Sequence, residues 1–328
     1  MFPIKIFFFR FILLFTCIGL LFTAPAAGAP CAGTAYKAED PNAVRMNAVI
    51  VSDLHTAERL SHDRNKALMR LFAGIKKSKT RIDALVLPGD LTNNGERRQY
   101  ENLAAILLRY NRADTLIAAT GNHDARGAMD AEDYADSMAN YYAFCTVMGI
   151  KTDKPYWAKT VNGYPFIVLG SEADVKDRAY ISDEQISWLD RQLTAAEQNG
   201  RLAFVVCHQV IDHTNNVDWW WYFDGSVGEQ SDAVRDVIRS HTDNGLTVLF
   251  ISGHLHRCFC ADSLEQPYPN LYCLNVPTVQ DDNVQVDGAR EGSGEGCTLE
   301  VYADRVLIRP RNFITGEWLE NVYTVPIP

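Results

Sequence analysis

The sequence predicts an α/β fold, because apolar runs of strand character alternate with helical segments and end in polar clusters. Three such runs are Met46–Val51, Leu85–Leu87 and Thr115–Ala119. Segments with helical periodicity follow the first two, over Ser61–Lys77 and Arg97–Tyr110. Strands joined by helices form a parallel sheet whose polar strand ends lie at one edge, and ligands bind at that edge.

The rest of the chain continues this alternation with less regularity. Asn162-Gly163 is a hairpin turn signal between the apolar runs Tyr156–Val161 and Tyr164–Leu169. The other predicted elements are helices over Ala131–Phe144, Ser182–Asn199 and Ala233–Ser240, and strands over Ala203–Cys207, Thr247–Ile251, Leu271–Val276, Leu299–Tyr302 and Val306–Arg309. Since no repeat or linker divides them, we predict a single domain over residues 45–328, preceded by an irregular segment over 27–44.

The first residues have the order of a secretory signal peptide. Lys5 and Arg10 precede an apolar run over Phe11–Phe22 that is too short to span a membrane comfortably, and small residues follow it. We predict cleavage after Ala26, which makes residues 1–26 the signal peptide and places the mature chain in the periplasm or outside the cell. No stable membrane insertion is expected after its removal, and a lipid anchor is the alternative with less support.

The composition is acidic, and this bears on the kind of partner. The chain has 31 Lys and Arg residues against 41 Asp and Glu residues, a net charge of −10. Loss of Lys5 and Arg10 with the signal peptide leaves 29 basic residues, so the exported chain carries about −12 (29 − 41). An acidic surface repels a phosphate backbone, so nucleic acid polymers are not expected as partners. A small phosphate ester could still bind to such a chain at a site that is locally positive.

The cysteine content agrees with export to an oxidising compartment. Seven of the eight cysteines lie beyond the signal peptide: Cys31, Cys145, Cys207, Cys258, Cys260, Cys273 and Cys297. Cys207 closes the apolar run that begins at Ala203, so we predict a buried free thiol there. The other six are expected to form disulfide bonds, whose connectivity the sequence alone does not determine.

Histidines and carboxylates collect at the predicted strand ends. Five of the eight histidines lie there with two aspartates and an asparagine: Asp53, His55, Asp90, Asn122, His123, His208, His254 and His256. Asp53 and His55 are two residues apart on a segment expected to be extended, so their side chains should point the same way. Taken alone, Asp90 is typical of a helix N-cap, and a single histidine is typical of a structural role.

The chemistry of these side chains together indicates a metal centre. Imidazole and carboxylate ligands favour zinc, iron or manganese, whereas sites made only of oxygen favour magnesium or calcium. Seven nitrogen and oxygen ligands exceed what one tetrahedral ion needs, whereas two ions that share a bridging carboxylate fit the count. We therefore predict two divalent or transition metal ions per chain, of Mn, Fe or Zn.

The order of these motifs resembles that of the calcineurin-like metallophosphoesterase superfamily. The blocks are D-x-H from Asp53, G-D at Asp90, G-N-H-D from Gly121, a lone His208 and G-H-x-H from Gly253. The resemblance covers most of the mature chain and implies a four-layer α/β/β/α sandwich with mixed sheets. It also implies the ligands of the two ions: Asp53, His55 and His256 for the first, Asn122, His208 and His254 for the second, and Asp90 as the bridge.

The resemblance implies hydrolysis of a phosphate ester by a hydroxide that bridges the two ions. Two cations neutralise the phosphoryl oxygens and lower the pKa of the bridging water, so that hydroxide attacks phosphorus opposite the leaving alkoxide. In this scheme His123 is not a ligand, and it stabilises the transition state or protonates the leaving group. Asp124, the next residue, is a candidate for orienting His123.

Departures from related families narrow the expected substrate. Asn93 stands where purple acid phosphatases have a tyrosine, and Thr92–Gly95 lacks the arginine of protein Ser/Thr phosphatases. The chain looks most like class III cyclic-nucleotide phosphodiesterases and related exported bacterial phosphodiesterases. We therefore expect small phosphodiesters as substrates, such as cyclic nucleotides or glycerophosphodiesters. A broad-specificity phosphomonoesterase is the alternative, and a non-catalytic binding scaffold is disfavoured by the complete ligand set.

Two further features are candidate substrate contacts. His213 follows His208 closely, and we expect it either beside the ions or the phosphate or on the surface. Trp219, Trp220 and Trp221 could stack a nucleobase or line an apolar wall, although a buried loop anchor or a dimer contact fits equally well. The sequence does not indicate an oligomeric state.

Overall fold

In the part of the chain that the structure describes, two mixed β-sheets of six strands each form the centre of the fold. The computed structural model describes residues 35–125, 133–215, 226–280 and 294–328. The strands, in chain order, are β1 Met46–Ile50, β2 Ala84–Leu87, β3 Thr115–Ala118, β4 Trp157–Val161, β5 Tyr164–Val168, β6 Leu202–Val206, β7 Thr247–Ser252, β8 Leu264–Tyr268, β9 Leu271–Asn275, β10 Glu295–Val301, β11 Arg305–Asn312 and β12 Tyr323–Pro326. The helices are α1 Asp63–Ile75, α2 Arg97–Tyr110, α3 Asn122–Ala125, α4 Asp133–Met148, α5 Asp183–Asn199 and α6 Ser231–Thr242.

The strand directions bring the carboxyl ends of the central strands to one edge of each sheet. The first sheet has the order β12-β11-β10-β1-β2-β3, in which β1, β2 and β3 are parallel and β10 to β12 are antiparallel additions. The second sheet has the order β4-β5-β6-β7-β9-β8, in which only the edge strands β4 and β8 are antiparallel to their neighbours. The predicted ligands begin where β1, β2, β3, β6 and β7 end.

Alternate residues of the second sheet pack into two different cores. Phe204 and Val206 of β6 join the apolar cluster that also contains β1, β2, β3, α1 and α2. Ala203 and Val205 join a second cluster, which α5 and α6 cover. This period of two is the pattern of a strand buried on both faces. The layers are therefore helix, sheet, sheet and helix, and the predicted α/β/β/α fold class is confirmed.

The hairpin predicted at Asn162-Gly163 is present, and Val161 pairs with Tyr164 across it. Both turn residues have positive φ, at 48° and 89°, which suits a type I′ turn. Helix α5 begins after Ser182, whose side chain accepts a hydrogen bond from the backbone N–H of Gln185. Among the described residues, none of the helices combines the length and the hydrophobicity that a membrane crossing requires.

The structure differs from the predicted elements in several places. Strands β8 and β12 are absent from the prediction, and α4 continues to Met148 beyond the predicted end at Phe144. Strand β8 is a partly exposed edge strand that contains Glu265 and Pro267, so it lacks the apolar pattern of a buried strand. Strand β12 has only four residues, and every second one is exposed.

The disulfide bonds expected for six cysteines are not present in the described part of the chain. Every cysteine there is a free thiol: Cys145, Cys207, Cys258, Cys260, Cys273 and Cys297. Cys145 and Cys297 pack into the first core, whereas Cys207 and Cys273 pack into the second. Burial raises the pKa of both Cys145 and Cys207 to about 12, which makes these thiols poor nucleophiles. Cys207 is the buried free thiol that was predicted, and Cys31 lies outside the described residues.

Candidate metal centre

Among the residues that the structure describes, loops that follow strands of both sheets converge on two clusters of potential metal ligands. Site 1 contains Asp53, His55, Asp90 and His256, and site 2 contains Asp90, His208 and His254. In each cluster the ligand atoms lie within 4.8 Å of one another. Asp90 belongs to both clusters, so a carboxylate that follows β2 joins ligands from the two sheets.

The distances in site 1 suit a single ion. The Nε2 atom of His256 lies 3.1 Å from both the Nε2 atom of His55 and the Oδ1 atom of Asp53. The Nε2 atom of His55 lies 3.7 Å from the Oδ2 atom of Asp90. Ligand atoms bound at about 2.1 Å and at right angles around one ion are about 3 Å apart. Four convergent side chains at this spacing could therefore hold one metal ion.

In site 2, the tautomer of His208 and the amide of Asn122 both suit metal binding. The Nδ1 atom of His208 donates to the carbonyl oxygen of Pro88 at 2.9 Å, and the buried Nε2 atom lies 3.1 Å from Oδ2 of Asp90. A second ring nitrogen held by a backbone carbonyl is typical of histidines that bind metals. The Oδ1 atom of Asn122 is buried and meets no hydrogen-bond partner in the described part of the chain, while its Nδ2 atom donates to Asp177. A bound ion would account for such an orphaned oxygen.

Five of the seven candidate ligands have a left-handed backbone, which is uncommon for residues other than glycine. They are Asp53 (φ 54°), His55 (φ 43°), Asp90 (φ 45°), His254 (φ 73°) and His256 (φ 49°). Such conformations cost about 1–3 kcal/mol each and persist only where the surrounding structure imposes them. The loops after β1 and β2 impose these conformations on each other, since the N–H of His55 donates to the carbonyl oxygen of Asp90 at 3.0 Å. Asp53 and His55 are therefore brought together by tight turns, and the extended segment predicted for them is wrong.

Two glycines of the motifs allow the loops to approach the ligand carboxylates. A Cβ atom on Gly121 would lie 2.1 Å from Oδ1 of Asp90, and one on Gly253 would lie 2.3 Å from Oδ2 of Asp53. The close approach lets the backbone N–H of His123 donate to Oδ1 of Asp90 at 2.9 Å. The bridging carboxylate is thus held by the loop that also carries the candidate acid.

His123 lies at the edge of the two clusters with its ring fixed by the backbone. Its Nδ1 atom donates to the carbonyl oxygen of Asn93 at 2.6 Å, because a carbonyl can only accept. Its ring packs edge-on against His55, with 4.7 Å between the centroids. Nε2 is therefore the ring nitrogen that can exchange a proton with a substrate, and the side chain is half-buried rather than enclosed.

The Asp124 carboxylate is hydrogen-bonded to groups of the neighbouring loops and not to the ring of His123. Its carboxylate accepts five hydrogen bonds of 2.7–3.0 Å, from the N–H groups of Leu91, Thr92 and Gly121 and from the hydroxyls of Thr92 and Tyr100. The Nδ1 atom of His123 is paired with Asn93, so the predicted orienting contact between Asp124 and that ring is not formed. Asp124 is a positioning residue that ties the loop of Asp90 to the loop of Gly121.

The candidate substrate contacts lie apart from the clusters or outside the described residues. His213 lines a cleft with Asp212, Arg235 and Tyr268, and the described lining contains none of the seven candidate ligands. Trp219, Trp220 and Trp221 lie outside the described residues. A substrate role for these four side chains stays a prediction. Sequence reasoning missed Asp177, which lies in an irregular loop between β5 and α5 and belongs to no motif.

In the metal-free protein, the carboxylates of the site keep a proton on His208. Burial lowers the pKa of His208, but the charges of Asp90 and Asp53 outweigh burial and raise it to about 9. Burial lowers the pKa of His55 to about 4 and that of His254 to about 3, so both rings are neutral at pH 7. Burial also opposes ionisation of the two aspartates, yet the positive charge of His208 keeps the pKa of each below its ordinary value.

We expect metal binding at pH 7.5 to displace about one proton from His208, because a ligand nitrogen must be deprotonated. With a pKa of about 9, His208 holds this proton throughout the neutral range and loses it as the pH rises through 9, so the affinity of site 2 should rise with pH up to about 9. Calorimetric titration in two buffers of different ionisation enthalpy measures the released protons, with His208→Gln as the control. Equal heats in the two buffers would contradict this assignment.

Comparisons with known proteins agree with the geometry. The family model described as calcineurin-like phosphoesterase matches residues 46–258. A probable cyclic nucleotide phosphodiesterase of Rhodococcus erythropolis is 25% identical over 75% of this chain and 75% of its own length. A probable glycerophosphodiester phosphodiesterase GpdQ of Arcobacter nitrofigilis is 24% identical over 49% of this chain and 56% of its own length. The purple acid phosphatase PPD1 of yellow lupin shares the fold, with a TM-score of 0.62, 13% identity and coverage of 86% of this chain and 53% of that one.

Proposed function

The chain belongs to the calcineurin-like phosphoesterase family, and we propose that it hydrolyses small phosphodiesters in the periplasm or outside the cell. Family membership and the two ligand clusters make it a dimetal phosphoesterase. The observation that carries the proposal is Asp90, a buried carboxylate that belongs to both clusters. Charge and the named relatives support the substrate class, and the first residues of the chain support the location.

The donor set fits two ions. Asp53, His55 and His256 would hold the first, Asn122, His208 and His254 the second, and Asp90 both. Mixed nitrogen and oxygen donors suit Mn, Fe or Zn. When bound, the two cations neutralise the phosphoryl oxygens and lower the pKa of a water molecule so that it can attack phosphorus.

His123 is the group placed to move a proton to the leaving oxygen. Its backbone N–H is held by Asp90 and its Nδ1–H by the carbonyl of Asn93, so the direction of Nε2 is set by the two neighbouring loops. An alkoxide leaves more easily when a proton reaches it in the transition state. Asp124 keeps both neighbouring loops in place through its five hydrogen bonds.

The smaller negative charge of a diester and the names of the related proteins both favour diesters over monoesters as substrates. A diester carries one negative charge, whereas a phosphate monoester carries about 1.5 to 2 at pH 7 and needs more positive charge around it. The segment Thr92–Gly95, which follows the bridging carboxylate, contains no arginine or lysine. The two relatives named above are called probable cyclic nucleotide and probable glycerophosphodiester phosphodiesterases.

We expect kcat/KM for bis-p-nitrophenyl phosphate to exceed that for p-nitrophenyl phosphate by about tenfold or more, which is a difference of at least 1.4 kcal/mol in transition-state binding. The protein is reconstituted separately with Mn, Fe and Zn, and each form is assayed on both esters. The Asp90→Asn variant provides the background rate. A higher kcat/KM for the monoester in every metal form would support the phosphomonoesterase alternative and contradict the proposal.

Export is proposed from the sequence of residues 1–26, in which Lys5 and Arg10 precede the apolar run and small residues follow. We expect the protein recovered from the periplasm or the medium of an expressing bacterium to begin at Ala27. Mass spectrometry of the intact protein measures this start, and an Arg10→Glu, Lys5→Glu variant should reduce export. An uncleaved chain found only in the cytoplasm would contradict the proposal.

A further inference from the structure

We infer that Asp177 is a positioning residue that holds the amide of Asn122 in the orientation needed to bind the second ion. The inference rests on the ligand set proposed for site 2 and deepens it, because Asp177 lies in the irregular loop between β5 and α5, far from every motif in the sequence. Three observations support it: the contact with Asn122, the anchoring of the loop, and the separate support of site 1.

The first observation is the polarity of the Asn122 amide. Asn122 is buried, its Nδ2 atom donates to Oδ1 of Asp177 at 3.1 Å, and its Oδ1 atom has no hydrogen-bond partner among the described residues. The two ends of an amide have nearly the same shape, but only the oxygen can bind a cation. An ionised carboxylate can only accept, so Asp177 selects the orientation that leaves the oxygen for the ion. Hydrogen bonds to a charged group are about twice as strong as neutral ones, which makes the selection firm.

The second observation is that the loop of Asp177 is tied to the other ligand loop of site 2. Gln209, the residue after His208, is buried, and its Nε2 atom donates to the backbone carbonyls of Asp177 and Arg178 at 3.4 and 3.2 Å. One loop therefore contacts Asn122 through a side chain and the neighbour of His208 through its backbone. A shift of this loop would disturb two ligands of the second ion together.

The third observation is that site 1 has its own supports. The hydroxyl of Thr278 donates to the backbone carbonyl of Asp53 at 2.9 Å, and the N–H of His254 donates to the Asp53 carboxylate at 3.2 Å. These groups come from the segments after β9 and β7, not from the loop of Asp177. Changing Asp177 should therefore weaken the binding of the second ion and leave the binding of the first ion unchanged.

Calorimetric titration of the metal-free protein with Mn²⁺ alone tests the inference. We expect Asp177→Ala to bind the first ion as the wild type does and the second ion 10- to 100-fold more weakly, the usual effect of removing a group that orients a metal ligand. Asp174→Ala is the matched control, since it removes the same charge from an exposed position of the same loop, where the Asp174 side chain accepts a hydrogen bond from the N–H of Lys176. It should bind both ions with wild-type affinity.

Two further variants separate orientation from a general loss of structure. Asp177→Asn replaces a carboxylate that only accepts with an amide that can donate or accept, so it no longer fixes the orientation of Asn122, and its affinity for the second ion should lie between those of Asp177→Ala and the wild type. Asn122→Asp places two carboxylates against each other, and adding Asp177→Asn should restore a donor between them and recover affinity for the second ion. Thermal unfolding of each metal-free variant shows whether the fold is retained.

The inference is overturned if Asp177→Ala binds the second Mn²⁺ as tightly as the wild type, or if the double variant binds it no better than Asn122→Asp alone. These outcomes leave the ligand set intact. A wild-type protein that binds only one Mn²⁺ per chain would instead contradict the ligand set proposed for site 2. The two failures are therefore distinguishable in one series of titrations.

Discussion

Asp90→Asn is expected to lower kcat by about three orders of magnitude or more, the largest loss from any single ligand substitution. The Asp90 carboxylate is buried, and its Oδ2 atom lies 3.1 Å from His208 and 3.7 Å from His55. A neutral amide removes the negative charge that two neighbouring cations would share, so both ions should bind more weakly. Steady-state assays with bis-p-nitrophenyl phosphate measure the effect.

Variants that remove a ligand from one site are the comparison for Asp90→Asn. His256→Ala takes a ligand from site 1 and His254→Ala takes one from site 2, so each should lose affinity for one ion and keep more activity than Asp90→Asn. Circular dichroism of all three proteins checks that they are folded. The bridging role is contradicted if Asp90→Asn is folded and more active than either histidine variant.

His123→Ala is expected to keep both ions and to lose about 10²- to 10⁴-fold in kcat, the usual contribution of a general acid. The reason is its position: the ring is held by the carbonyl of Asn93 beside the clusters, and it is not one of their members. The loss should be largest for alkyl diesters, whose alkoxide leaving groups need a proton, and smallest for nitrophenyl diesters, whose leaving groups are acidic. Rates on both kinds of ester, together with metal analysis, measure this split.

His62→Ala is the matched control for His123→Ala, since His62 is an exposed histidine at the start of α1 and outside both clusters. It should keep wild-type turnover on both kinds of ester. The assignment of His123 fails if His123→Ala keeps full activity, or if it loses one of its ions. An equal loss of kcat on both kinds of ester would contradict proton transfer by His123 and would leave transition-state stabilisation as its role.

Much of the fold could be predicted because its central strands are buried on both faces. Runs such as Leu85–Leu87 and Ala203–Cys207 are apolar throughout and end abruptly, so their position is visible in one sequence. Strand β8 was not predictable, because an edge strand pairs on one side only and tolerates charge and proline. The pairing of β1 with β10 joins segments far apart in the chain, and no local pattern encodes it.

The candidate ligands could be predicted because histidines and aspartates that recur at the ends of buried strands are costly to bury unless they bind a metal ion or one another. Their geometry could not, since the left-handed turns at Asp53 and His55 depend on backbone hydrogen bonds to Gly89 and Asp90 of another loop. The same limit applies to Asp124, whose five hydrogen-bond donors come from two loops and a helix. Asp177 was missed because its function depends only on which side chain it meets in the folded protein.

The metal content of the purified, reconstituted protein tests the central claim most directly, because the proposed chemistry depends on two ions that share Asp90. Elemental analysis after removal of unbound metal should find two ions per chain in the wild type. Asp90→Asn, prepared in parallel, should retain far less than two. A folded wild-type protein that retains a single ion, or an Asp90→Asn protein that retains both, would contradict the shared carboxylate.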